Sequence, residues 1–247
     1  MPVMDWDRAR RRADVLEALH PEAAPVLRFA RALWRFQEEI YRRARRGAPA
    51  DARRLDTALL GGYLPDYLQL VETHGPPELA AQAQKLQERP DWEELLRACW
   101  RRANDRLEVL ARAILQPYVR HLAERWEEEV GTFEDAAGRC PFCGRPPLLA
   151  VTRGNRRLVC SLCASEWPFP EGECPLCRGR RLERLEDPGF PHLRAEGCPD
   201  CGRYLKVVDL GRDPQAVPLA DEIASDRLDR AARERGFAKV ERNLAGA

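Results

Sequence analysis

Lysine is nearly missing from this chain: of its 41 basic residues only Lys85, Lys206 and Lys239 are lysine, and the others are arginine. Arginine's planar fork favours ion-pair networks, but a bias spread over the whole chain is assigned to codon usage rather than function. Net charge is scarce too. The 41 basic residues meet 40 acidic ones, leaving +1, so no global field draws the chain to nucleic acid or to an anionic membrane. No apolar run reaches the roughly 18 residues of a membrane-spanning helix. The opening Met1-Pro-Val-Met-Asp-Trp-Asp7 is acidic and lacks an apolar h-region, so no secretory signal is expected there. These readings place the chain in a reducing cytoplasm. Catalytic signatures are missing as well: there is no phosphate-cradling P-loop, no Gly-x-Gly-x-x-Gly, no His-Glu-x-x-His and no Gly-x-Ser-x-Gly elbow. The four histidines, His20, His74, His121 and His192, are scattered. No catalytic residue is assigned, and the chain is not expected to be an enzyme.

Cysteine is what the chain does have, and it is concentrated. Eight of nine cysteines form four Cys-x-x-Cys pairs: Cys140/Cys143, Cys160/Cys163, Cys174/Cys177 and Cys198/Cys201. Two thiolates two residues apart grip one metal ion from a tight turn, and two such turns complete a tetrahedral site. In a reducing compartment paired cysteines read as metal ligands rather than disulfides. Sequential pairing puts Cys140, Cys143, Cys160 and Cys163 in site 1 and Cys174, Cys177, Cys198 and Cys201 in site 2. Its loops have 16 and 20 intervening residues. An interleaved pairing needs loops about twice as long, which costs under about 1 kcal/mol more per loop, so both pairings stay open. Four-sulfur tetrahedra suit either zinc or rubredoxin-type iron. Each knuckle needs a positive φ after its second cysteine, which Gly144 and Gly202 supply without strain. Ala164 and Arg178 stand at the equivalent positions of the other two.

The expected fold is α plus small metal-bound β: an N-terminal all-α helical domain, two tandem rubredoxin-like or zinc-ribbon modules of four cysteines each, and a C-terminal helix. The divisions fall at 1–135, 136–172, 173–210 and 211–247. Val26, Phe29, Ala30, Leu33, Trp34, Gln37, Ile40 and Tyr41 have helical spacing, as do Leu107, Leu110, Ile114, Leu115, Tyr118, Leu122 and Trp126. Pro117 predicts a kink or break in the second run. Joints at Gly47-Ala-Pro49, Gly61-Gly62, Gly75-Pro76-Pro77 and Pro90-Asp91 divide the first half into six or seven helices. Beyond Gly131, Leu148-Leu-Ala-Val-Thr152 and Arg157-Leu-Val159 flank Gly154-Asn155 and read as a hairpin. Tyr204 to Leu210 reads as another strand. A last helix from Pro218 carries Leu219, Ile223, Leu228 and Ala232 on one face, and Asn243 to Ala247 reads as a frayed end.

The second half resembles the formate dehydrogenase accessory proteins, FdhE. The resemblance rests on Cys140-Pro-Phe-Cys-Gly-Arg-Pro-Pro147, Cys160-Ser-Leu-Cys-Ala-Ser-Glu-Trp167 and Cys174-Pro-Leu-Cys177. It continues in Cys198-Pro-Asp-Cys-Gly-Arg-Tyr-Leu-Lys206 and Pro218-Leu-Ala-Asp-Glu-Ile-Ala-Ser-Asp-Arg-Leu-Asp229. It implies a cytoplasmic, non-catalytic maturation factor that acts as a chaperone. The implied partner is the catalytic subunit of a molybdenum- or tungsten-dependent formate dehydrogenase. It also implies rubredoxin-like modules holding iron, although such sites accept zinc, so two metal ions, Fe or Zn, each bound by four cysteines, are expected.

Two other functions compete: a rubredoxin-type electron carrier and a nucleic-acid-binding zinc ribbon. Arg153, Arg156 and Arg157 near the hairpin turn suit phosphate, but without interleaved aromatics they read as a solvated tip and nucleic acid is disfavoured. Asp221, Ser225 and Asp229 recur every four residues along the last helix and form either a partner-binding strip or a solvated face. Trp167 either covers a sulfur or packs under the ribbon. Cys99 reads as a buried small hydrophobe, and His192 as a surface residue.

Overall fold

The joints at Gly61-Gly62 and Gly75-Pro76-Pro77 fall between helices as the sequence predicts, whereas Asp91 makes no side-chain cap to its helix and the caps at Asp5 and Asp56 are unexpected. A computed structural model describes residues 5–47, 55–88, 91–101, 108–130 and 138–246, the side chains of 128–130 aside. The expected boundary at 135, the punctuation at Pro49 and Pro90, and Leu107 lie outside the described residues, as do Met1 to Met4. The Asp5 carboxylate accepts from Arg8 N at 2.8 Å and opens α1, Trp6–Leu19. A 3-10 turn at Pro21–Ala23 leads into α2, Ala24–Gly47. The Asp56 carboxylate accepts from Leu59 N at 2.9 Å and opens α3, Thr57–Gly62. Then come α4, Leu64–His74, α5, Pro77–Gln87, α6, Trp92–Trp100, and α7, Glu108–Val130. The apolar face read in α2 is buried from Phe29 to Tyr41, with Val26 half-buried.

Of the kink or break expected at Pro117, the break does not occur: α7 runs through the proline. Pro117 has no N–H for the carbonyl of Ala113. The buried Gln37 side chain of α2 donates Nε2 to that oxygen at 2.7 Å, so the vacant acceptor is filled from a neighbouring helix. From Leu110 to Ala123 every residue of α7 is buried. It is therefore a central helix enclosed on all sides rather than an amphipathic one on the surface.

The second half builds one seven-stranded sheet. Its strands are β1 (Pro147–Arg153), β2 (Asn155–Cys160), β3 (Glu166–Pro168), β4 (Glu183–Glu186), β5 (Leu193–Cys198), β6 (Arg203–Asp209) and β7 (Ala238–Lys239). The predicted hairpin is β1–β2, with Gly154 at φ 81° between Arg153 and Asn155. The order is β3-β2-β1-β6-β5-β4, with β7 beside β6. β6 runs parallel to β1, pairing Leu149 with Lys206 and Thr152 with Asp209, and antiparallel to β5. The strands that flank the two cysteine sets therefore share one hydrogen-bonded ladder.

The expected last helix is two helices, α8 (Pro218–Ala224) and α9 (Asp226–Glu234), broken at Ser225. They pack on the sheet, and α1 and α2 pack on α8. The break has a visible cause. Lys206 of β6, with no exposed surface, donates Nζ to the carbonyls of Glu222 (2.7 Å) and Ser225 (3.1 Å), adding a buried cation to main-chain acceptors at the helix end. Its ammonium also lies 2.6 Å from Asp229 Oδ2 and 3.5 Å from Glu222 Oε1. Lys239 meets the same two carboxylates, Tyr204 OH donates to Asp229 Oδ1 at 2.6 Å, and Asn243 Nδ2 donates to Glu222 at 2.9 Å. Two ammonium groups thus balance two carboxylates in the interior.

Buried polar contacts here and elsewhere in the second half correct several expectations. Asp221, Ser225 and Asp229 do not form an exposed partner-binding strip: all three are buried, because each bonds inward to a cation or a main-chain group. His192 is not on the surface either, since its Nε2 lies 2.8 Å from Asp221 Oδ1. Arg156 is no solvated tip. It is buried with Nη2 3.1 Å from Glu196 Oε2 and its guanidinium over the Phe169 ring, whereas Arg153 is exposed and Arg157 half-buried. Nor is the tail frayed as far as it is described: Asn243, Leu244 and Ala245 are buried, and Ala247 lies outside the described residues.

Candidate metal centres

The turns that carry the thiols are alike in backbone. Gly144 N, Arg178 N and Gly202 N donate to the carbonyls of Cys140, Cys174 and Cys198 at 2.8–2.9 Å. The residue after each second cysteine has positive φ: Gly144 at 67°, Ala164 at 57°, Arg178 at 66° and Gly202 at 67°. Ala164 and Arg178 thus adopt the glycine conformation and carry a steric cost of about 1–2 kcal/mol each. At Arg178 the side chain gains contacts in return: its guanidinium stands 5.0 Å over the Phe169 ring and Nε is 3.4 Å from Glu173.

The structure brings together the sets of the sequential pairing. The sulfurs of Cys140, Cys143, Cys160 and Cys163 all lie within 4.8 Å of one another, and so do those of Cys174, Cys177, Cys198 and Cys201. Individual separations are 3.4 Å for Cys140–Cys163, 3.3 Å for Cys143–Cys160, 3.7 Å for Cys174–Cys201 and 3.5 Å for Cys177–Cys198. A disulfide requires about 2.05 Å, so these are free thiols. A metal–sulfur bond of about 2.3 Å places the sulfurs of a regular tetrahedron about 3.8 Å apart. The donor sets therefore fit an ion of zinc or iron size, and both can bind one.

Their surroundings differ. In site 1, Cys140, Cys160 and Cys163 are buried and Cys143 is half-buried. Phe142 of the first knuckle sits between Trp100 of α6 and Trp126 of α7, with centroids 6.1 Å and 5.3 Å away. Leu162 of the second knuckle is fully buried, as is Trp167, which pairs across the ladder with Leu158 and joins the hydrophobic core. In site 2, Cys174 and Cys198 are buried, Cys201 is half-buried and Cys177 is exposed. Without metal, burial pushes the Cys160 thiol well above its usual range, whereas the Gly179 N–H lowers Cys177. Cys99 stands apart from both sets. It is buried beside Arg145, and burial raises its thiol to about 11.

A third group, His192, Asp213 and Asp221, also converges. Arg12 Nη2 lies 2.7 Å from Asp213 and 2.5 Å from Asp221, so a guanidinium already supplies the positive charge there. Sequence reading missed this cluster and the Lys206 network. One signal pointed to the latter: two of only three lysines in an arginine-rich chain lie inside it. Among the described residues no helix is long and apolar enough to cross a membrane.

Comparison with known proteins agrees with this architecture. The family description "FdhE, C-terminal domain" matches residues 174–245. A Protein FdhE homolog of Pseudomonas aeruginosa is 32% identical over 206 residues, covering 74% of this chain and 67% of that protein. One of Aquifex aeolicus is 29% identical over 198 residues, covering 74% and 69%. The crystal structure of the FdhE protein from Pseudomonas aeruginosa covers 100% of this chain and 97% of its own, with a TM-score of 0.73 at 28% identity. By sequence and by fold, the chain belongs to the FdhE family.

Proposed function

We propose that this chain is a non-catalytic accessory factor in the maturation of a molybdenum- or tungsten-dependent formate dehydrogenase, and that it binds the catalytic subunit in the cytoplasm. Cys140, Cys143, Cys160 and Cys163 hold one ion and Cys174, Cys177, Cys198 and Cys201 a second, each Fe or Zn. The observation that carries the reading is a likeness to an FdhE protein along the whole chain, beside two convergent four-cysteine sets in this chain. Four sulfur ligands fill the ion's coordination, so no position is held vacant as catalytic zinc holds one, which suits a binding role for the protein. Bound ions supply folding free energy to the knuckles and hold the sheet against the helices.

The test is affinity capture of the tagged chain from a native extract that makes formate dehydrogenase. Recovery of the catalytic subunit supports the proposal; its absence under conditions that retain both bound ions overturns it. Metal analysis of protein purified without oxygen identifies the ions. A ferric absorption band is compatible with the accessory factor and with the electron-carrier alternative alike, whereas two zinc ions per chain eliminate the electron carrier.

A further inference from the structure

The two cysteine sets share backbone and sulfur geometry but not surroundings. No knuckle residue of site 1 is exposed: α6 and α7 cover Phe142 through Trp100 and Trp126, and Leu162 is buried in the core. Among the described residues, nothing covers the equivalent face of site 2. Leu176 is 38% exposed, Cys177 and Arg178 beside it are exposed, and so are Pro199 and Asp200 of the opposite knuckle. Three guanidiniums rim this face. Arg178 and Arg180 share Glu173, and Arg181 pairs with Asp200 at 2.6 Å. Three cations thus face two carboxylates, and the Arg180 and Arg181 side chains are 81% and 83% exposed.

We infer that site 2 is a ligand-exchange site, where an anionic sulfur or oxygen donor reaches the ion at Cys177, while site 1 is a closed staple. This rests on the reading of each cysteine set as a four-sulfur metal site, proposed above. In the exchange step the incoming donor forms a bond to the ion with its own electron pair. The bond from the ion to Cys177 Sγ breaks, and the thiolate leaves with its pair and takes a proton from water. No electron is transferred, and the ion keeps four ligands. A zinc ion held by four thiolates carries a charge of −2, and the exposed guanidiniums of Arg180 and Arg181 offset it and so lower the repulsion that an anionic donor meets. At site 1 the same step requires the helices to open first.

The test uses the full chain loaded with two zinc ions, challenged with EDTA or with neutral 1,10-phenanthroline, and quenched with iodoacetamide for peptide mapping. One equivalent should leave at least about tenfold faster than the other, because site 1 needs local opening. Label at the end of the fast phase should sit on Cys174, Cys177, Cys198 and Cys201 and spare the four site 1 thiols. Arg180→Glu with Arg181→Glu should slow the EDTA fast phase by roughly twofold or more at low salt, and leave phenanthroline unchanged. A single release phase, or label first at site 1, overturns the inference. Equal effects on both chelators overturn the assignment of anionic donors. Fewer than two zinc ions in the starting protein overturns the four-sulfur reading itself, an outcome separable from the others before any chelator is added.

Discussion

At the scale of single residues, the interior depends on polar groups that complete one another. Gln37 and Pro117 are one such pair. Gln37→Leu leaves the Ala113 carbonyl buried without a donor, and should lower unfolding free energy by about 1–3 kcal/mol in urea titrations. Pro117→Ala restores a main-chain N–H to that carbonyl, so adding it to Gln37→Leu should recover part of the loss; a purely additive double variant would refute the pairing. Asp229 is another. Burial opposes its ionisation, but the Lys206 and Lys239 ammonium groups outweigh this and hold its carboxyl below the usual aspartate value. The unfolded chain therefore binds more protons in that window, and the stability Asp229 contributes is lost as pH falls through its folded value. Asp229→Asn leaves an uncompensated buried cation and should cost about 3–5 kcal/mol near neutrality. The gap from the parent should narrow below about pH 4. A gap constant from about pH 7 to about pH 3 would contradict this.

At the scale of elements, what could be read in advance followed the strength of the local signal. Apolar spacing from Phe29 to Tyr41 marked α2, and Gly154-Asn155 marked the β1–β2 hairpin. The four Cys-x-x-Cys pairs marked the thiol sets. β5, Leu-Arg-Ala-Glu-Gly-Cys, alternates in polarity over only four residues before Gly197, and its burial does not follow that alternation, because Glu196 is buried against Arg156 and Arg194. The α8–α9 break was illegible because its cause, Lys206, lies on a distant strand. The acidic strip misled for the same reason: helical spacing shows that Asp221, Ser225 and Asp229 share a face, not which way that face points. The parallel β1–β6 ladder joins residues far apart in sequence, which no local signal reports. It predicts that amides of β1 and β6 exchange with solvent through one shared opening, their free energies agreeing within about 1 kcal/mol. Separate opening of β6 together with β4 and β5, while β1 stays protected, would show that the ladder does not couple them.

At the scale of the whole molecule, the cysteine sets stand at the end of a chain of dependence that reaches α1. The knuckles hold the sheet, the sheet seats α8, and α8 receives Arg12 through Asp221. Zinc binding to isolated finger peptides provides about 10–16 kcal/mol, comparable to the roughly 5–15 kcal/mol of a whole domain's stability. Stripping both ions should therefore lower the thermal midpoint, with loss of helical as well as sheet circular dichroism. An unchanged midpoint in the ion-free protein would mean the fold stands without its ions. The reach of Arg12 also bears on how the protein is made. Its carboxylate partner lies 209 residues downstream, so at a ribosomal pace of about 5–20 residues per second α1 waits on the order of 10–40 s before that partner exists. During that interval α1 has α2 to pack on, with Trp6 against Tyr41, but no C-terminal seat, and its α8-facing side remains a surface for a chaperone to shield.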